Sequence, residues 1–109
     1  MRRAEAKPVV HLITSGDTTG ANFPARRRRL VELARSAAEA CVDHMQIREK
    51  QLPGKLLYEL VRDAVAVTRG FAIRVIVNDR FDVALGAKAD GVHLTSSSFP
   101  ASTVRRHAD

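Results

Sequence analysis

The sequence contains no tryptophan, one tyrosine and four phenylalanines among 109 residues. A surface that stacks nucleic-acid bases interleaves aromatic rings with its cations, and the few rings here do not lie that way. The basic clusters are Arg2 and Arg3, then Arg26, Arg27, Arg28 and Arg29 at the start of a helical pattern, then Arg105 and Arg106. Despite a formal charge of +6, this distribution reads as solvated helix and terminus surface, so no nucleic-acid partner is expected. One cysteine, Cys41, excludes an internal disulfide and fits a reducing compartment. Its place at a helix-to-strand junction predicts a small buried packing residue.

No apolar run approaches the roughly 18 residues that a membrane span needs. The basic start Met1-Arg2-Arg3 leads into Ala4, Glu5, Ala6 and Lys7, where a secretory signal would place its apolar core. A cytoplasmic location without a membrane partner is the expectation. Low-complexity tracts and linkers are also missing, so residues 1–109 read as a single domain with a hydrophobic core.

The chain does have a regular alternation of patterns. A β-branched run at 9–14 precedes a turn-rich stretch at 15–22. From Pro24 onward, Leu30, Val31, Leu33, Ala34, Ala37 and Ala38 recur at helical spacing. Residues 42–49 alternate, with Met45 and Ile47 on one face and His44, Gln46 and Arg48 on the other. A second helical stripe, from Leu56 to Thr68, is closed by Gly70, and a third strand covers 71–77. A short helix at 82–85 closes near Gly86, a fourth strand spans 91–94, and Pro100 starts another helical segment. Alternating strands and helices imply an α/β fold of parallel strands with right-handed crossovers, and the apolar strands suggest burial on both faces.

Period-two spacing places Gln46, Arg48 and Lys50 on one side of a strand and its exit. A guanidinium fork and an ammonium there suit phosphate oxygens, although on the residues alone pairing of Arg48 and Lys50 with Glu49 or a neighbour explains them better. Asn78 and Asp79 end the third strand, and the chain must turn between them if both are to face one site. Asp79 suits a hard cation or the cap of the next helix.

Three blocks, Met45-Gln46-Ile47-Arg48-Glu49-Lys50, Val77-Asn78-Asp79-Arg80-Phe81-Asp82-Val83-Ala84-Leu85 and Ala89-Asp90-Gly91-Val92-His93-Leu94, resemble in order and spacing those of the thiamine phosphate synthase and TenI family. The resemblance implies the N-terminal half of a TIM (β/α)8 barrel, a fold that places its active site at the C-terminal ends of the strands. It further implies thiamine biosynthesis from small phosphorylated substrates. In that scheme 4-amino-2-methyl-5-(diphosphomethyl)pyrimidine joins a thiazole phosphate with release of pyrophosphate. Gln46, Arg48, Lys50 and Asn78 would hold the pyrimidine pyrophosphate, and Asp79 would hold Mg2+.

The chain departs from that family pattern in two ways. Thr95-Ser96-Ser97-Ser98 stands where synthases carry Gly-Gln-x-Asp, so Ser98 replaces the second metal carboxylate. Thr-x-x-Ser followed by Phe99-Pro100 is similar to TenI-type sequences, some of them thiazole tautomerases that need no metal. The other departure is length, since four βα units are present where the fold has eight. Unpaired first and last strands predict a homo-oligomer or a second half barrel, and an inactive phosphate-binding half barrel is a further alternative. His11, His44, His93 and His107 share no metal-ligand spacing; His44 and His93 sit on possible inward faces.

Overall fold

In a computed structural model, which describes residues 9–94, the chain alternates four strands with three helices. They are β1 (His11–Ile13), α1 (Phe23–Glu39), β2 (His44–Ile47), α2 (Gly54–Thr68), β3 (Arg74–Asn78), α3 (Phe81–Ala87) and β4 (Gly91–His93). All strands run parallel in the order β1-β2-β3-β4. A sequential order means that each crossover steps the same way, and right-handed crossovers then put every helix on one face. Accordingly α1 packs on α2, and α2 on α3. Doubly wound sheets reverse direction and cover both faces, whereas this winding is that of a half barrel.

Side-chain alternation decides what meets the helices. Leu12, Met45, Ile47, Val75, Val77 and Val92 share one face through the strand register. Packed against them are Leu30, Ala34, Ala37 and Ala38 of α1 and Leu57, Leu60, Val61 and Ala64 of α2. Full burial of a side chain such as Leu60 contributes about 2 kcal/mol.

The other face carries His11, Ile13, His44, Gln46, Arg74, Ile76, Asn78 and His93. Burial on both faces was expected, but among the described residues the second face is buried only in part, at Gln46 and Asn78. Ile13 remains 50% exposed, and His11, Arg74 and His93 are exposed. The cause is the winding, which leaves no helix on this side. His44 and His93 do lie on this face, and the His11 ring meets His44 edge-on at a centroid distance of 5.5 Å.

Two further expectations are corrected at helix ends. Cys41 is exposed, because it is the left-handed residue (φ 62°) that terminates α1. Its N–H donates to Ala38 O at 3.2 Å, and the Val42 N–H to Ala37 O at 2.9 Å. This is the Schellman pattern, usually built on glycine. The third helix does not close near Gly86 but at Lys88, which is also left-handed. Gly86 lies inside α3, where a Cβ would come within 3.3 Å of the Tyr58 ring, so it permits close contact with α2. Gly70 ends α2 in another way. The Phe71 N–H donates to Thr68 O at 3.0 Å across Arg69 (φ −61°, ψ 133°) and Gly70 (φ 90°), a type II turn that demands glycine.

The arginine run is only partly the solvated face expected of it. Arg28 and Arg29 are exposed, while Arg26 and Arg27 are half-buried. Arg27 donates to Asp63 at 2.6 Å and to Glu59 at 3.1 Å, and its guanidinium lies 5.4 Å from the Phe23 ring centre. One cation thereby clamps α1 to α2. No described helix is long and apolar enough to cross a membrane.

Cys41→Gly should raise the unfolding free energy by about 0.5 to 1 kcal/mol, since it relieves a left-handed residue whose side chain is exposed. Gly70→Ala should lower it by about 1 kcal/mol or more. Urea midpoints moving the opposite way would contradict this account of the helix ends.

Candidate functional site

The site begins with a buried carboxylate. Glu49 follows Met45 and Ile47 at period two, so it lies on the helix side of β2 and is 3% exposed. Its oxygens are taken by the β1–α1 loop, whose Thr18 N–H donates to Oε1 at 2.8 Å and Gly16 N–H to Oε2 at 2.9 Å. Arg48 and Lys50, its sequence neighbours, remain exposed and form no ion pair with a described residue. Glu49 therefore forms no ion pair with either cation.

The two loops are joined elsewhere as well. The Arg48 N–H donates to Thr14 Oγ1 at 2.9 Å, the Gln51 amide to Gly16 O at 3.3 Å, and the Thr14 N–H to Gln46 O at 3.0 Å. Gly16 has φ 84°, and a Cβ there would lie 3.2 Å from Arg48 O. The loop's outer side is fixed by Arg26, which donates to Ser15 Oγ and Asp17 Oδ1. The hydrogen bond from Ser15, aided by the Arg26 charge, holds the Asp17 carboxyl below the usual aspartate range.

Beside Glu49 opens a cavity of about 180 Å³, walled by Glu49, Lys50 and Leu52 after β2, Leu57 near the start of α2, and Asn78, Asp79 and Arg80 after β3. It lies at the C-terminal ends of β2 and β3. Asn78 is buried beneath it, with Nδ2 donating to Gln46 Oε1 at 2.9 Å and Oδ1 without a partner among the described residues. Asp79 breaks the strand alternation with φ 65°, and its N–H donates to His93 O at 2.7 Å. That turn lets two consecutive residues line one cavity.

Of the residues singled out in the sequence, the structure thus brings together Lys50, Asn78 and Asp79, with Gln46 tied beneath them. Arg48 is exposed at the same rim and does not line the cavity. Ser98 lies outside the described residues. Glu49 and Arg80 were not foreseen as wall residues, although the alternation that puts Glu49 opposite Arg48 and Lys50 was a usable signal. Arg80 grips Asp82 through two bonds, Nε to Oδ1 at 3.0 Å and Nη2 to Oδ2 at 2.9 Å. Its guanidinium lies where a Cβ on Gly54 would come within 2.8 Å, so a larger residue at the start of α2 would make the end of the Arg80 side chain shift.

The donor set fits a hard cation in part. The Asp79 carboxylate and the orphaned Asn78 Oδ1 are oxygen ligands of the right kind. The described residues contain no group of three or more His, Cys, Asp or Glu that could hold a metal, so water and substrate oxygens would have to complete the shell.

The hydrogen bond from Arg80 holds the Asp82 carboxyl below its ordinary value of 3.8, against an opposing effect of burial. A depressed carboxyl contributes stability that is present above the unfolded-state pKa and lost as pH falls through the folded one. Asp82→Asn should therefore reduce stability by a constant amount between pH 7 and pH 5, and by less at pH 3. Thermal melts showing a difference that grows on acidification would contradict this.

Comparison with known proteins gives this geometry a family. The model of the thiamine monophosphate synthase family matches residues 11–109. A thiamine-phosphate synthase of Methanoculleus marisnigri is 44% identical over 84 residues, covering 74% of this chain and 38% of that protein. The Roseiflexus castenholzii thiamine-phosphate synthase is 34% identical over 98 residues, covering 90% and 40%. The solved structure of thiamine phosphate pyrophosphorylase from Pyrococcus furiosus superposes with a TM-score of 0.71 at 31% identity, covering 91% of this chain and 45% of that one. The chain spans less than half the length of each of these three proteins. On this evidence it belongs to the thiamine monophosphate synthase family.

Proposed function

We propose that this chain supplies the pyrophosphate-holding half of a thiamine phosphate synthase site. One observation carries the reading: the loop N–H groups occupy both oxygens of Glu49, so Arg48 and Lys50 keep their charge for an anion. Lys50 at the cavity wall and Arg48 on the adjoining rim would take phosphate oxygens, with Arg48 in a fork. Gln46 and Asn78, linked amide to amide, would orient the pyrimidine end.

In the reaction implied, the bond between the pyrimidine methylene carbon and the pyrophosphate oxygen breaks with both electrons on oxygen. The thiazole ring nitrogen then bonds to the methylene cation. Stabilising the departing charge is the main demand, and the two cations meet it. Mg2+ held at Asp79, with Asn78 Oδ1 alongside, would add Lewis-acid stabilisation of the pyrophosphate. We place the reaction in the cytoplasm, in keeping with a lone, exposed thiol at Cys41.

A second half barrel completes the site in this reading. The inner face of the sheet is exposed at His11, Ile13, Arg74 and His93, and Val9, Val10 and Ile13 on or beside β1 are half-exposed or more. A second copy would cover such an apolar edge. A tautomerase reading is favoured by one feature, Ser98 in place of a carboxylate.

Titration of the chain with pyrophosphate and Mg2+ should give binding that Lys50→Ala or Arg48→Ala weakens by about tenfold or more, the loss expected for one charged hydrogen bond. Unchanged affinity in both variants would refute the assignment. With both thiamine precursors, product should form only when Mg2+ is present, whereas metal-free isomerisation of the thiazole would favour the tautomerase. Sedimentation should show a dimer at micromolar concentration, and a stable monomer would remove the second copy.

A further inference from the structure

We infer that Glu49 is a positioning residue for the anion site. It acts through the β1–α1 loop to fix the direction in which Arg48 and Lys50 leave the sheet. This rests on the pyrophosphate reading above and goes beyond it, because Glu49 itself offers an anion nothing but repulsion.

The geometry carries the inference. Lys50 and Glu49 wall the same cavity, so a carboxylate sits beside the proposed phosphate position. That placement opposes binding unless the charge is engaged elsewhere, and two backbone N–H groups engage it. Gly16, left-handed at φ 84°, shapes the loop so that its own N–H and that of Thr18 converge on one acceptor, as in an anion-binding nest. The nest is filled by the protein's own carboxylate.

Each further bond between the loops touches the segment that bears the cations. Thr14 Oγ1 holds the Arg48 N–H, Gly16 packs on Arg48 O, and Gln51 reaches Gly16 O. The Arg48 and Lys50 side chains are themselves exposed and unpaired among the described residues, and apart from these loop bonds their segment is held by β2 before it and by the Leu52 N–H, which donates to Glu49 O at 3.2 Å. If the loop is released, the same cations remain but are aimed less well; Glu49→Gln also removes the negative charge beside the ligand, which by itself favours an anion, so weaker binding in that variant reports the lost fastening. Outer-shell groups of this kind are worth about 10- to 100-fold in affinity or activity.

The test titrates pyrophosphate with Mg2+ into the wild-type chain, Glu49→Gln and Gly16→Ala at 25 °C, with far-UV circular dichroism to show that each is folded. Both variants should bind at least about tenfold more weakly, and the double variant no more weakly than the worse single one, because both break the same fastening. A merely structural role would lower the melting temperature and leave affinity unchanged in a chain that is still folded. Should Glu49→Gln fail to fold, Gly16→Ala decides, since it alters the loop and spares the carboxylate. Wild-type binding with both variants unaffected overturns the positioning role alone. Absence of wild-type binding overturns the pyrophosphate reading and this inference with it.

Discussion

A single carboxylate joins the first two βα units at the rim of this sheet. Charge-assisted hydrogen bonds such as those from Gly16 and Thr18 to Glu49 contribute roughly 1.5 to 3 kcal/mol each when buried. They matter more here than in a larger sheet, because β1 has three residues and among the described residues pairs only with β2. Without them, the loop that follows β1 would be held to β2 by neutral bonds at Thr14 and Gln51 alone. The same interaction shapes the rim, since the carboxylate is held by backbone donors and forms no ion pair with the cations on either side of it among the described residues.

The rest of the site follows from winding and from one backbone conformation. Sequential parallel strands send all helices to one face, so the polar residues of the other face and the loops at the C-terminal ends are left to bind ligands. The left-handed Asp79 then aims two consecutive side chains at one cavity. Gly54 makes room for Arg80 on the opposite wall. Each of these positions is fixed by backbone geometry before any ligand is considered.

Much of this was legible in the sequence. The alternation at Met45 and Ile47 located the helix side of β2, the stripe from Leu56 to Thr68 located α2, and the three ordered blocks pointed to the family. The turn at Asp79 was required as soon as Asn78 and Asp79 were assigned to one site. Other features depended on tertiary context. Cys41 and Lys88 occupy left-handed helix ends that usually belong to glycine, so local preference pointed to burial for one and to Gly86 for the other. Arg27 looked like part of a solvated run because its partners, Glu59 and Asp63, lie on the next helix. The partial exposure of the inner face could not be read from apolar strands, whose composition is the same whether one or both sides are covered.

Amide hydrogen exchange at Gly16 and Thr18 tests the central claim most directly. Both lie in a turn-rich loop and outside any helix or strand, and Glu49 is the acceptor of each; Gly16 is the sharper reporter, because Thr18 is also fully buried. If the carboxylate is committed to the loop, these two amides exchange much more slowly than in an unstructured peptide of the same sequence. Exchange at the peptide rate would mean that Glu49 is free to pair with Arg48 or Lys50, and the site proposed here would lose its unpaired cations.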